Sequence, residues 1–157
     1  MASRVSRPVA LFDLDGTLTD PQSGIIRCIV HALEGLQVEA PSYDTLKRWI
    51  GPPLHQSFLD YLGSDASADE AVRLYRERFS TVGLYENEPF EGIEDALAAI
   101  RRSTDRMMVV TSKPTVFATK IIQHFGYGRY FDAVHGSELD GTRGDKTELL
   151  GYVLDTE

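Results

Sequence analysis

Val9-Ala10-Leu11-Phe12-Asp13-Leu14-Asp15-Gly16-Thr17-Leu18-Thr19 is the stretch whose reading decides the fold. Its first four residues are an unbroken apolar run between Pro8 and Asp13, the pattern of a strand buried on both faces. Asp13 to Thr17 reads as a polar turn at the strand's C-terminal end. Residues two apart in extended chain point the same way, so Asp13 and Asp15 are expected to face one pocket. Two carboxylates that close resist joint ionisation unless a cation or hydrogen bonds compensate. A hard divalent cation with oxygen ligands is the natural remedy. Gly16 lets the backbone turn sharply and present N–H groups to an anion. An EF-hand is excluded, because the sixth and twelfth loop positions counted from Asp13 hold Leu18 and Gly24. An Asx-rich turn without chemistry is the competing reading, and it has to be weighed against the rest of the chain.

Downstream, the pattern first turns helical. Asp20 reads as an N-cap and Pro21 as a first helical residue, followed by Ile25, Ile26, Ile29, Val30, Leu33 and Leu36 at helical spacing. Ser42 is a second cap, ahead of Tyr43, Leu46, Trp49 and Ile50, and Gly51-Pro52-Pro53 breaks that helix. Leu54, Phe58, Leu59 and Leu62 form a third helix ending at Gly63, and Ser67 is read as the cap of a fourth. No strand is expected between Asp20 and Gly83. After Pro89 the pattern alternates. A helix around Ile93–Ile100 precedes a strand Met107–Val110, a helix opened by Lys113-Pro114, a strand Tyr130–Val134 and a last helix Asp145–Asp155. Such alternation implies right-handed crossovers and a parallel sheet. The expected architecture is therefore α/β, with a Rossmann-like parallel core and an inserted α-helical cap. The core takes residues 1–18 and 85–157, and the cap takes 19–84.

Ligands of open parallel sheets bind beyond the carboxyl ends of the strands. Asp13 and Asp15 end the first predicted strand, Thr111 and Ser112 end the second, and Lys146 opens the last helix. A hydroxyl and a backbone N–H at a strand-to-helix junction make an anion site. A lysine beside a phosphate and two carboxylates steadies the charge of both. Separately, Thr111 reads as a helix cap and Lys146 as a surface lysine; their convergence with two aspartates favours chemistry. Lys113 is compatible with touching substrate and equally with a surface role at a helix start. Cys28 reads as core, Trp49 and Tyr75 as packing, and His31, His55, His124 and His135 lack metal-ligand spacing.

Composition narrows the function classes. The chain has 157 residues, 42% hydrophobic and 25% charged, which is ordinary globular composition. No apolar run approaches the ~20 residues of a membrane span, and Met1–Pro8 shows no signal-peptide core. One cysteine excludes an internal disulfide framework, and a reducing, cytoplasmic setting is expected. The net charge of −8 carries no basic stripe, so no nucleic-acid polymer and no membrane is expected as partner.

Phe12-Asp-Leu-Asp-Gly-Thr-Leu-Thr19 resembles the first motif of the haloacid dehalogenase (HAD) superfamily of phosphotransferases. Val109-Val-Thr-Ser-Lys-Pro114 resembles its second motif, Asp145-Lys146 its third, and the helical insert its mobile cap. The resemblance implies a magnesium-dependent phosphatase. In it Asp13 is the nucleophile that forms an aspartyl-phosphate, and Asp15 is the acid and then the base. Mg2+ is held by the Asp13 carboxylate and the Asp15 carbonyl. Thr111 holds the phosphoryl group with Ser112, Gly16 and Thr17 nearby, and Lys146 steadies the Asp13 carboxylate. Hinges are expected at Thr17–Pro21 and Glu86–Pro89, and Gly51–Leu54 is a candidate substrate-facing loop. Tyr85–Ile93, Thr111–Phe117, His124–Gly126 and Gly136–Thr142 are similar to a 5′-nucleotidase-like branch near the phosphoglycolate phosphatases. The expected substrate is a small phosphomonoester, either a 5′-nucleotide or a compound such as phosphoglycolate.

The family's fourth motif, a Gly-Asp followed by another acid on a strand beside the first, has no counterpart before Glu157. The expectation is accordingly a C-terminally truncated form, with an incomplete core, an open edge on the first strand and weak turnover. A noncatalytic phosphate-binding module and a sugar phosphate mutase are the alternative functions. A signalling receiver domain is excluded by the helical insert.

Overall fold

The computed structural model describes residues 7–157, and the reading of Met1–Ser6 as free of a signal-peptide core lies outside them. The chain divides into two compact units. One comprises the chain up to Asp20 with Glu88–Glu157, and the other comprises Pro21–Asn87.

In the first unit, β1 (Val9–Phe12), β4 (Arg106–Pro114) and β5 (Ala133–Ser137) form a parallel sheet in the order β1-β4-β5. The register pairs Phe12 with Val109, and Val109 with Val134. The carboxyl ends of all three strands therefore open on the same edge. Among the described residues β1 is an edge strand, with Val9 and Leu11 exposed. Helices α5 (Ile93–Arg101), α6 (Thr115–His124) and α7 (Lys146–Thr156) supply the crossovers and cover. Leu149 and Val153 of α7 are buried against Met108 and Val110 of β4. That apolar contact fixes where α7 begins.

Several boundaries differ from the sequence expectation. Asp20 is not a helix cap: β2 (Thr19–Asp20) pairs antiparallel with β3 (Glu88–Pro89), and this short ladder keeps residues 19 and 20 in the first unit. Strand β4 runs on to Pro114, so Lys113 is a strand residue and α6 starts at Thr115. The third strand is Ala133–Ser137, displaced from the aromatic run. Tyr127–Arg129 turns as a short 3-10 helix instead. Asp132 just before β5 accepts from the Met107 N–H at 2.8 Å and from Arg101 at 2.7 and 3.0 Å, locking the entry of β4.

The second unit is helical: α1 (Gln22–Gly35), α2 (Tyr43–Lys47), α3 (Leu54–Leu62) and α4 (Asp65–Thr81). Ile29, Leu33, Phe58, Ala68 and Ala71 are fully buried in it. Ser42 caps α2 as expected, accepting from Thr45 N at 3.4 Å. The fourth helix is capped by Ser64, not Ser67; Ser67 N points back to the Ser64 hydroxyl at 3.5 Å. Gly63 ends α3 at φ +73°, the left-handed conformation that glycine adopts without strain. Glu86 ties the end of this unit to Arg78 at 2.7 Å and Arg27 at 2.8 Å. Gly51-Pro52-Pro53 is an exposed link between α2 and α3, beside a hollow of about 350 Å³ lined in part by Arg48, Trp49, Gln56 and Tyr61. Among the described residues, no helix is long and apolar enough to cross a membrane.

Candidate active site

The loop leaving β1 builds the site's first wall. Leu14 and Leu18 are fully buried, which pins the loop between them and leaves Gly16 and Thr17 exposed. Gly16 sits at φ +75°, where a side chain would be strained. Its N–H donates to the Thr19 carbonyl at 2.8 Å, and the Thr17 N–H donates to Leu14 at 3.2 Å. Both N–H groups are thus engaged in the loop itself rather than pointing to an anion as the sequence suggested. Thr17 is exposed.

Asp13 directly follows β1. Its Oδ1 accepts from Leu14 N at 2.8 Å, and its Oδ2 accepts from the Lys146 ammonium. Lys146 is the first residue of α7, held there because the Asp145 carboxylate caps the helix through Thr147 N (2.9 Å) and Glu148 N (3.0 Å). Asp15 pairs with a different cation: Lys113 Nζ lies 2.8 Å from Asp15 Oδ2, with the lysine side chain only 7% exposed. The other carboxylate oxygen, Asp15 Oδ1, is buried with no hydrogen-bond partner. Two lysines from two elements therefore sort two neighbouring aspartates.

Thr111 lies on β4, two residues beyond Val109, the partner of Phe12, which brings it to the end of the sheet where Asp13 begins. It is 2% exposed, and its Oγ1 accepts from Lys113 N at 3.3 Å, leaving its own proton available to donate. Ser112 is exposed at the rim, with its carbonyl held by the Ser137 hydroxyl at 2.9 Å. Of the five residues the sequence tied to this edge, Asp13 and Lys146 meet in an ion pair, Asp15 follows in the same loop, and Thr111 and Ser112 lie beyond Val109 on β4. Lys113 is the residue whose place was left open. The signal that finds it is its parity with Thr111 on an extended strand.

The described residues hold no group of three or more His, Cys, Asp or Glu side chains placed to bind a metal. The oxygens of Asp13 and Asp15 are hard donors, and with two lysines they make a charge-balanced quartet. An incoming phosphate dianion would leave that quartet short of positive charge.

Comparison with known proteins gives one consistent picture. The family model for haloacid dehalogenase-like hydrolases matches residues 10–154. A 5′-nucleotidase from Pseudomonas aeruginosa is 51% identical over 151 residues, covering 96% of this chain and 68% of the relative. The tyrosine-protein kinase PtkA of Mycobacterium tuberculosis is 38% identical over 149 residues, and the chain spans about half of it, 51%. A solved haloacid dehalogenase-like family hydrolase from Streptococcus pneumoniae superposes with a TM-score of 0.88 at 31% identity, covering 98% of this chain and 71% of that one. With its parallel sheet, its aspartate loop after β1 and a match across nearly its whole length, this chain belongs to the haloacid dehalogenase-like hydrolase family.

Proposed function

We propose that this protein hydrolyses small phosphomonoesters through an aspartyl-phosphate on Asp13. The observation that carries the reading is the lysine-sorted pair of aspartates at the carboxyl end of β1, with Asp13 bound by Lys146 and Asp15 by Lys113. One carboxylate is set up to attack and the other to move a proton.

In the first step an Asp13 oxygen attacks phosphorus. The bond from phosphorus to the substrate's alcohol oxygen breaks, and that oxygen takes a proton from Asp15. In the second step water attacks the same phosphorus and gives a proton to the Asp15 carboxylate. The bond from phosphorus to Asp13 breaks, freeing inorganic phosphate and restoring the carboxylate. The Thr111 hydroxyl donates to a phosphoryl oxygen, and Ser112 and Thr17 line the rim. Lys146 offsets charge on Asp13 and on the phosphoryl group. A divalent cation, for which we assign magnesium, fits the hard oxygen donors of Asp13 and Asp15 and the charge deficit noted above; when bound it supplies charge neutralisation and a template for the phosphate. The helical unit, Pro21–Asn87, is assigned as the cap.

The identity to a 5′-nucleotidase supports 5′-nucleotides as the first substrates to test, followed by phosphoglycolate and sugar phosphates. Phosphate release is measured over that panel with magnesium and with chelator. The expected result is magnesium-dependent release that Asp13→Asn abolishes and acid quench traps as phosphoprotein. Absence of release across the panel, or full activity in Asp13→Asn, overturns the reading. Phosphate that moves to a second sugar hydroxyl without release identifies a mutase.

A further inference from the structure

We propose that Lys113 is a positioning residue for Asp15: its ammonium grips Oδ2 and so fixes the carboxylate from which a proton passes to the substrate. The inference rests on the phosphomonoester reading above.

Asp15 makes only an isolated bridge to Thr19, and the backbone beside it turns at Gly16, φ +75°. Its carboxylate accordingly needs a tether from its side chain. A general acid has to bring one chosen oxygen within about 2.6–3.2 Å of the leaving oxygen. Lys113 makes the two oxygens of Asp15 unequal: Oδ2 is 2.8 Å from Nζ, whereas Oδ1 is buried and unpartnered. Buried polar atoms nearly always have a partner, and a catalytic role is one of the few reasons for an exception.

The tether is itself rigid. Lys113 N donates to Thr111 Oγ1, and β5 comes so close that a Cβ on Gly136 would stand 2.2 Å from the Lys113 carbonyl oxygen. The lysine side chain is 7% exposed, unlike Lys146 at 43%. A solvated surface lysine would cost little to hold and would fix little. A lysine withdrawn from water onto a carboxylate commits that carboxylate to one place. Because Lys146 goes to Asp13, nothing else among the described ion pairs holds Asp15.

The test uses leaving groups. Lys113→Met keeps the length of the side chain and removes the ammonium; Lys113→Arg keeps a cation. Values of kcat/KM are measured for an alkyl phosphomonoester, which needs a proton on its leaving oxygen, and for p-nitrophenyl phosphate, whose phenolate leaves without one. Positioning of the acid predicts that Lys113→Met loses about 10–100-fold on the alkyl ester. It predicts a clearly smaller loss on the aryl ester and partial recovery of the alkyl ester in Lys113→Arg. Equal losses on both esters, as direct phosphate binding or general damage would give, overturn the proposal, and so does no loss on either. If the wild-type protein releases phosphate from neither ester, the phosphatase reading fails. The positioning claim is then decided by a crystal structure of Lys113→Met. An Asp15 carboxylate that has left its place supports it, and one that has not moved overturns it.

Discussion

Lys146 donates to Asp13 Oδ2 across 133 residues of sequence, from the first turn of the last helix to the end of the first strand. Both side chains keep substantial exposure, 43% and 35%. Exposed ion pairs contribute roughly 0–1 kcal/mol to stability, which fits the role proposed for Lys146 beside the phosphoryl group. Lys146→Met is expected to leave the melting temperature within a few degrees of wild type and to lower phosphate release on the order of 100-fold or more. A variant that melts far lower, with activity per folded molecule intact, would make the pair structural.

That long-range contact depends on how α7 docks. Leu149 is fully buried with Met108, Val110 and Val153, one turn beyond Lys146. Leu149→Ala is expected to cost about 2–5 kcal/mol in denaturant unfolding. Activity should fall as well, because the lysine rides on the same helix. Leu154, 75% exposed on the opposite side, provides the contrast: Leu154→Ala should shift stability by no more than about 0.5 kcal/mol.

The backbone at Lys113 has a requirement of its own. A Cβ at Gly136 would meet Lys113 O at 2.2 Å and Thr115 N at 2.8 Å, and both are main-chain atoms with no side-chain route of escape. Gly136→Ala should therefore destabilise by about 1–3 kcal/mol or more and disturb the Asp15 tether. Gly128→Ala, with nothing within 4 Å of the new carbon, should be close to neutral. Equal melting temperatures for the two variants would mean that β5 has room to retreat.

Much of this was legible in the sequence because local and global signals agreed there. The apolar run Val9–Phe12 is β1 to the residue, and Ser42 caps α2, although that helix ends at Lys47, ahead of Trp49, Ile50 and the Gly51-Pro52-Pro53 break. The misread places are those where tertiary structure overrides propensity. Asp20 looks like a cap, yet the pairing with Glu88 draws it into β2. Tyr130-Phe131 looks like strand, yet Asp132 is needed as the acceptor of Met107 N, so the chain turns there and β5, Ala133–Ser137, runs on through His135-Gly136-Ser137. That polar, glycine-bearing run makes a poor strand by composition. It is a strand because the close approach to Lys113 tolerates only glycine. The site was legible in the same uneven way: Asp13, Asp15 and Lys146 stand at element ends, whereas the burial of Lys113 follows from the strand's unexpected length.

In the helical unit, the pH dependence of stability should centre on Glu86. The hydrogen bond from Arg78, and next that from Arg27, hold its carboxyl below the usual carboxylate range against the opposing effect of burial. A carboxyl depressed in the folded state binds protons more tightly when unfolded. Its contribution is therefore fully present above the unfolded value of about 4.3 and is lost as pH falls through the folded value. With both partners about one-fifth exposed, the charged hydrogen bonds are expected to contribute about 1–2 kcal/mol. Glu86→Gln should lower the urea midpoint at pH 7, and the gap to wild type should narrow as pH falls below the unfolded value of about 4.3. A gap between the two proteins that persists unchanged at pH 3 would assign the effect to packing rather than to charge.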